Sequence, residues 1–357
     1  MSPRRVAALL AAAVVLIVFA IWVASQRHLE RSTQSGDLVL PGLEAALNSV
    51  TRVEVKKGDG THATIERQGN RWMVAERAWP ADFSKVRKLL LDLGSLNVVE
   101  EKTRLPANYP RLGVEDVSSP KATGTQVRVV TPAKTYALIV GRPSDAKSGY
   151  VRVAGAEQSL LAAPTLTVEA EPKAWLDNTV IDVPADRVRA IEERPASGAG
   201  FNATRARKED ADFTVSPIPR GRELTSAAAA DPIAASLSQL TLEDVQKSTP
   251  PADAKLAHAT LQTFDGLTID AAGRKDGSRM LVAFTATATD KATAGEARQL
   301  NARLGGWELE IPEYRYSEIF RTLDDLLKPP PQPKRKASPQ ARGSAAPHAG
   351  AAAAPAK

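Results

Sequence analysis

Residues 51–74, TRVEVKKGDGTHATIERQGNRWMV, carry the pattern that decides the fold. Polar and apolar residues alternate in three short stretches of this segment, as they do in half-buried β-strands. Gly58-Asp59-Gly60 and Gly69-Asn70 lie between the stretches, and both are typical of tight turns. The segment therefore predicts an antiparallel meander. Its three strands are expected at residues 51–56, 62–67 and 71–74.

A helix and further strands are predicted beyond the meander. Asp82 suits the N-cap of a helix, and Gly94 suits its end. The apolar side chains between them share one face of the helix; they are Val86, Leu89, Leu90 and Leu93. Strand patterns follow the helix and continue beyond a proline-rich crossing. They occupy residues 96–100, 125–131, 135–140 and 150–153.

A second series of predicted strands and helices, in the same order as the first, begins near residue 181. Trp72-Met73-Val74 corresponds to Phe213-Thr214-Val215, and residues 89–99 correspond to residues 233–245. The second series also contains a helix at residues 232–240, and it closes with a strand at 307–311 and a helix at 317–327. We therefore predict an α+β fold of antiparallel β-meanders with packed helices, internally duplicated and preceded by one N-terminal transmembrane helix. A chance likeness between two short meander-and-helix patterns is the alternative to duplication.

The transmembrane helix is predicted from residues 6–24, VAALLAAAVVLIVFAIWVA, which contain no charged residue. As a helix, this run is about 28 Å long, close to the hydrocarbon thickness of a bilayer. Arg4 and Arg5 precede the run and favour a cytoplasmic N-terminus. A cleaved signal peptide is the alternative, because cleavage after Ala20 is compatible with the sequence. In either case the bulk of the chain is expected to be exported.

Composition restricts both the chemistry and the partners. The chain has 357 residues and no cysteine, which excludes disulfides, thiol catalysis and cysteine-bound metals. Its net charge is +6, and residues 329–357 supply five of these positive charges, so the remainder carries +1 and does not support nucleic-acid binding. This proline- and alanine-rich tail has a composition typical of disorder. A solvated terminus is favoured over a tether to anionic lipid or cell-wall polymer.

Five segments follow from these patterns. They are an anchor at residues 1–25, a linker at 26–45, a first α+β repeat at 46–177, a second α+β repeat at 178–328 and the tail at 329–357. The two repeats contain enough residues for two ordinary domains.

Sequence motifs of common enzymes are missing. The chain lacks the nucleophile elbow, the phosphate-binding loop, the dinucleotide fingerprint and the HExxH zinc motif. His62 and His258 are isolated in strand patterns and are poor candidates for metal ligands. Acidic residues occur in adjacent pairs such as Glu192-Glu193, and neighbours in a strand point to opposite faces. We therefore expect no catalytic residue, no metal site and no cofactor.

Tyr150, Arg152 and Trp175 form the candidate cluster for partner binding or packing. An aromatic ring beside an arginine is typical of a groove that binds a partner. The alternative is structural, with Trp175 packed beneath the crossing between the two repeats. We favour the structural role, because buried aromatic side chains dominate core energetics.

Several short motifs together resemble a known family. They are Trp79-Pro80-Ala81-Asp82-Phe83, Leu112-Gly113-Val114-Glu115-Asp116, Tyr150-Val151-Arg152, Trp175-Leu176-Asp177 and residues 307–314. Their order is similar to that of the bacterial domain of unknown function 4340 family over roughly residues 50–327. The resemblance implies an exported, membrane-anchored protein, similar to accessory subunits of ABC-type or gliding-motility transporters. It implies no catalytic residues.

These observations favour a non-catalytic accessory protein. We expect a single-pass protein of the bacterial inner membrane with an extracytoplasmic body that binds an integral-membrane or envelope protein through strand edges or repeat faces. Two alternatives stay open. Two acidic side chains that converge in a pocket would favour an envelope glycan-processing hydrolase. A continuous apolar cavity between the sheets would favour a module that binds lipid or polysaccharide.

Overall fold

The computed structural model describes residues 37–252 and 254–329. The predicted membrane segment at residues 6–24 and nearly all of the predicted tail lie outside the described residues. Within the described ranges, no helix combines the length and apolarity needed to cross a bilayer. The described chain contains two large antiparallel sheets and several short helices, which confirms the predicted α+β class.

Nine antiparallel strands form the first sheet. They are β1 (Arg52–Lys57), β2 (His62–Gln68), β3 (Arg71–Val74), β4 (Trp79–Pro80), β5 (Asn97–Glu101), β6 (Thr125–Val130), β7 (Thr135–Pro143), β8 (Gly149–Val153) and β9 (Ser159–Ala163). Across the sheet they lie in the order β4-β3-β2-β1-β6-β7-β8-β9-β5. The first three strands are the meander predicted from residues 51–74, and β5 forms one end of the sheet.

Eight antiparallel strands form the second sheet. They are β11 (Val188–Arg194), β12 (Phe201–Thr204), β13 (Thr214–Ser216), β15 (Asp244–Lys247), β16 (Ala257–Thr263), β17 (Leu267–Asp276), β18 (Arg279–Ala288) and β19 (Trp307–Glu310). Their order is β13-β12-β11-β16-β17-β18-β19-β15. Two further short strands, β10 (Thr179–Ile181) and β14 (Leu240–Thr241), pair with each other.

The two sheets have the same strand order once β4 is set aside. β1 and β11 occupy the same place in this order, and β5 and β15 form the same end of their sheets. Val53 and Ile191 occupy equivalent buried positions in β1 and β11. Trp72 lies in β3 and Phe213 directly precedes β13; both residues, paired from the sequence, are buried. The shared order favours internal duplication, which stays a prediction, as do the boundaries of the two repeats.

Short α-helices connect and cover the strands. Among the described residues they are α1 (Leu43–Ala46), α2 (Phe83–Gly94), α3 (Tyr109–Leu112), α4 (Asp231–Ala235), α5 (Ala294–Leu304), α6 (Glu313–Ile319) and α7 (Leu323–Leu326). The predicted helix is α2. The Asp82 carboxylate accepts hydrogen bonds from the backbone N–H groups of Ser84 and Lys85 at 2.9 and 3.2 Å. This cap satisfies two donors that the first turn leaves free.

Three helices differ from the sequence prediction. The helix expected at residues 232–240 ends at Ala235, and Gln239 adopts a left-handed φ of 47°, which a helix does not allow. The helix expected at 317–327 is two helices, because Thr322 forms a capping box that starts α7 anew. α5 was not predicted at all, since its buried face carries few large apolar side chains.

One continuous hydrophobic core runs through both sheets and α2. Leu93 and Leu96 lie in the core beside the first sheet, and Leu237 and Leu240 lie in the core beside the second. All four side chains are fully buried. Because the two sheets share this closely packed core, unfolding one sheet would remove packing contacts from the other. We therefore expect the two sheets to unfold together.

Leu93→Ala and Leu237→Ala should each lower the free energy of unfolding by about 2–5 kcal/mol, because each leaves a cavity in the core. Chemical denaturation of the purified chain, followed by circular dichroism and tryptophan fluorescence, measures both variants. Leu105→Ala, at a leucine that is 64% exposed, is the control and should change stability by less than about 0.5 kcal/mol. Separate transitions for the two sheets would contradict a single core.

Candidate functional site

Residues 172–181, here called the connector, join the two sheets and hydrogen-bond to structure on both sides. On the side of the first sheet, the Asp82 N–H donates to the Trp175 carbonyl at 2.8 Å. On the side of the second sheet, the Leu242 N–H donates to the Asn178 carbonyl at 2.9 Å, next to the β10–β14 pair. The connector is therefore fixed between the sheets along its length.

The predicted candidate Trp175 lies in the connector, at the end of the 3-10 helix Pro172–Trp175. Its side chain is buried, and its indole N–H donates to the Glu169 carbonyl at 2.7 Å. A buried indole needs such a partner, since an unpaired N–H in the core costs free energy. This position suits the packing role favoured from the sequence, and that role stays a prediction.

A bidentate ion pair joins the turn after β3 to β15. Arg77 Nε donates to Asp244 Oδ1 at 2.6 Å, and Arg77 Nη2 donates to Asp244 Oδ2 at 2.9 Å. Burial acts to raise the pKa of Asp244, but the hydrogen bonds from Arg77 and from the Val245 backbone outweigh it, and the pKa lies below its ordinary value. The bond to Asp244 raises the pKa of Arg77. Both groups are therefore charged at neutral pH, and the planar fork fixes how the turn meets the sheet.

Aromatic rings extend this contact. The Trp79 and Trp307 rings meet edge to face, with centroids 5.5 Å apart and an angle of 83° between their planes. The Trp79 indole N–H donates to the Asp177 carbonyl in the connector at 3.0 Å. Lys247 Nζ lies 3.5 Å from the centroid of the Trp307 ring, a cation–π geometry. We call the docking of the turn at residues 75–78 on β15 and β19 the inter-sheet contact.

The corresponding end of the first sheet carries no such turn in the described chain. The registers of the two sheets place Glu100 in β5 where Asp244 lies in β15. The Glu100 side chain is 57% exposed, whereas that of Asp244 is 16% exposed. Val99 and Glu101 are exposed beside it, and Lys102 Nζ contacts the Glu100 carboxylate at 2.7 Å. We call Val99, Glu100 and Glu101 the open end.

Residues 72–262 contain both partners of the Arg77–Asp244 pair, and they match the DUF4340 family, which is described as a domain of unknown function. The match spans more than half of the 357 residues. The chain belongs to the DUF4340 family. This confirms the resemblance drawn from the sequence, over a shorter span than residues 50–327. No curated protein matches the chain, and no solved structure matches it.

The other two candidate residues of the DUF4340 chain, Tyr150 and Arg152, lie on β8. Arg152 is 2% exposed, and its guanidinium donates to the Val114 and Ala156 carbonyls and to Asp116 Oδ1, each at 2.8 Å. These bonds hold the segment before β6 against the outer face of the sheet. Arg152 is therefore buried beneath that segment rather than presented to a partner.

Tyr150 and Trp175 lie in different places. Tyr150 packs on a small outer cluster with Tyr109 and Ile139, and the Arg152 guanidinium lies 4.6 Å from the Tyr109 ring centroid. Trp175 belongs to the main core. The structure thus brings Tyr150 and Arg152 together and leaves Trp175 apart, so the three residues form no common groove.

One carboxyl group is buried without a partner. Glu193 is 1% exposed in β11, at the position that Val55 holds in β1, and neither carboxyl oxygen accepts a hydrogen bond within the described chain. Burial raises its pKa from 4.5 to about 9, although the charge of Arg321 acts in the opposite direction. The group is therefore protonated at neutral pH. Its neighbour Glu192 faces the other side of the sheet and contacts Arg194.

Metal ligands were not expected from the sequence. Across residues 37–252 and 254–329, no three or more His, Asp or Glu side chains are grouped to hold a metal ion. His62 is exposed in β2 with its Nε2 atom 3.9 Å from a Glu76 oxygen, and His258 lies in β16. The expectation of no cofactor stays a prediction.

Local sequence patterns do not reveal the residues of the inter-sheet contact. Trp79 belongs to a family motif, and nothing in the sequence around Arg77 or Asp244 marks the two residues as partners. One signal was available. Aligning the two proposed repeats at Leu96 and Leu240 places Glu100 and Asp244 together, which marks an acidic position common to both.

Trp175→Ala should lower the free energy of unfolding by about 3–5 kcal/mol, because it removes a large buried side chain between the sheets. Thermal and chemical denaturation measure the loss. Tyr314→Ala is the control, since Tyr314 is 61% exposed and its removal should have little effect. Unchanged melting of the Trp175 variant would argue against the packing role.

Glu193→Val should remove a pH dependence of stability. The native protein keeps the Glu193 proton at pH values where the unfolded chain loses it, so raising the pH favours unfolding. The stability contributed by the protonated group is complete below pH 4.5 and is lost as the pH rises to about 9. Chemical denaturation across this range should show a decline of several kcal/mol that Glu193→Val lacks and the adjacent control Glu192→Val retains. Equal pH profiles for all three chains would contradict the assignment.

Proposed function

We propose that this DUF4340 chain is a membrane-anchored accessory protein whose extracytoplasmic body binds an integral-membrane or envelope protein and catalyses no reaction. The apolar run at residues 6–24 supports a single-pass anchor in the bacterial inner membrane. The family resemblance supports an auxiliary role beside an ABC-type transport or envelope system. The proposed binding surface is the open end.

The single observation behind this surface is the difference between the two equivalent sheet ends. In the second sheet, the end strand receives a tight turn through the Arg77–Asp244 pair. In the first sheet, the equivalent Glu100 is exposed beside Val99. The turn at residues 75–78 is therefore an example, within the molecule, of a structure that binds such an end strand.

The chemistry of the partner follows from that example. Glu100 and Glu101 each contact a nearby cation of the chain, at 2.7 and 3.8 Å, but both carboxylates stay more than half exposed, so they can also bind an arginine or lysine on the partner. Val99 offers an apolar contact that is 46% exposed. Residues 37–38 pair with the start of this end strand, and beyond them an extended segment of the partner can pair with its backbone. The partner we propose therefore presents a basic turn or an extended basic segment.

Site-specific photocrosslinking in native membranes tests this proposal. A photoreactive amino acid replaces Val99 in the full chain, and the same residue replaces Tyr314 in a matched control at an exposed apolar position. Crosslinked products are identified after purification under denaturing conditions. We expect an integral-membrane or envelope protein that is enriched at position 99 and missing at position 314.

Charge reversal provides the second arm of the experiment. Glu100→Arg in the Val99-substituted chain should abolish the enriched product, because it removes the partner of the basic group. Glu209→Arg changes the net charge equally at an exposed site in the second half of the chain and should leave the product intact. Recovery of only bulk envelope proteins, or equal recovery at positions 99 and 314, would overturn the proposal.

A further inference from the structure

Helix α2 carries an apolar surface that the core does not use. Its buried face is the predicted one, and its other face leaves Phe83 59% exposed and Leu91 48% exposed. These two residues and Arg87 are spaced by four, so they lie on one side of the helix. An exposed apolar stripe of this kind is a candidate interaction surface.

Two adjoining cavities follow this stripe. One has a volume of about 630 Å³ and the other about 290 Å³, and Phe83, Arg87 and Leu91 line both. Apolar groups form much of the larger cavity, which Leu47 and Trp72 also line. We call the two cavities together the α2 groove.

The charge in the α2 groove favours an anionic ligand. Arg87 makes no ion pair with a carboxylate in the described chain, and Arg67 bonds only to the backbone carbonyls of Asn48 and Gly69, at 3.0 and 3.3 Å. Glu44 also lines the larger cavity, where it offsets one of these charges. In the smaller cavity, Asp92 is bound by Lys88 at 2.5 Å. The guanidinium groups of Arg67 and Arg87 therefore give the edge of the α2 groove a net positive charge, and apolar side chains line its interior.

The α2 groove also lies where the chain comes from the predicted anchor. Its second wall includes Leu47, in the short helical stretch that begins six residues after Asp37. The Val39 N–H bonds to the Leu96 carbonyl at 2.9 Å, which fixes this entry beside the end of α2. Asp37 is thirteen positions after Ala24, a span of at most roughly 45 Å. In an anchored protein, this wall is therefore within reach of the bilayer.

We propose that the α2 groove binds the surface of an anionic bilayer. Phe83 and Leu91 enter the interfacial region, and Arg67 and Arg87 contact the phosphates of anionic lipid headgroups. The proposal rests on the membrane anchor of the proposed function, but it uses a surface distinct from the open end. It orients the body on the membrane and leaves Glu100 available to a protein partner.

Fluorescence from a single labelled cysteine tests the proposal in the full chain. The chain has no cysteine of its own, so Leu91→Cys and the control Tyr314→Cys each carry one environment-sensitive probe. Each protein is reconstituted into vesicles of phosphatidylcholine, with or without phosphatidylglycerol, that contain brominated acyl chains. We expect severalfold stronger quenching at position 91 than at position 314 when phosphatidylglycerol is present, and a loss of that difference in high salt.

Charge variants of the Leu91-labelled chain separate specific from general attraction. Arg87→Glu should reduce the quenching to the level of the Tyr314 probe. Arg298→Glu, an equal charge change at an exposed arginine of α5, should leave it unchanged. Quenching at position 91 that is equal with and without anionic lipid, or equal in the two charge variants, would overturn the proposal.

The remaining outcomes assign failure to one proposal or the other. If the labelled chain is removed from vesicles by an alkaline wash, the anchor is wrong and the proposed function fails with it. If the chain stays in the vesicles but the probe at position 91 is not quenched, only the lipid contact is wrong. A probe that is shielded in native membranes and not in pure lipid would show that a protein occupies the α2 groove, which also overturns the lipid contact.

Discussion

The bidentate pair between Arg77 and Asp244 determines how the two sheets meet. The two residues are 167 positions apart, so the pair is a tertiary contact that no local pattern produces. It fixes the turn after β3 on the end strand of the second sheet, and this places Trp79 against Trp307. With the connector bonded on both sides, the two sheets share one core. Removing either charge would leave the other partly buried without a partner. The loss of stability is then far larger than when an exposed pair of the same type is broken.

The two sheets cover their outer faces in different ways. In the first sheet, a chain segment lies so close to β7 that a Cβ on Gly141 would be 2.3 Å from the Leu112 carbonyl oxygen. The equivalent position in β17 is Arg274, which shields the face with its own side chain and binds Glu308 at 2.8 Å through two nitrogens. These hydrogen bonds hold the pKa of Glu308 below its ordinary value. One sheet therefore requires a glycine where the other uses a buried ion pair.

The strands could be predicted from the sequence because alternation and turn dipeptides are local signals. The meander at residues 51–74 and helix α2 with its Asp82 cap were found in this way. Helix α5 could not be predicted, since small residues on its buried face give a weak periodic signal. The role of Arg152 was equally hidden, because it depends on carbonyl groups 38 and 4 positions away. Glu193 stands in the sequence as one of an adjacent acidic pair, and its burial could not be predicted, because an acidic residue in a strand indicates an exposed face.

The inter-sheet contact joins unlike surfaces: a turn at one end of the first sheet and a strand at the other end of the second. An interface of this type is not self-complementary, in contrast to one that joins two identical patches. An open series of such units would keep one unfilled acceptor strand at its beginning and one undocked turn at its end. In the described chain the series has two members, and the end strand without a docked turn is β5.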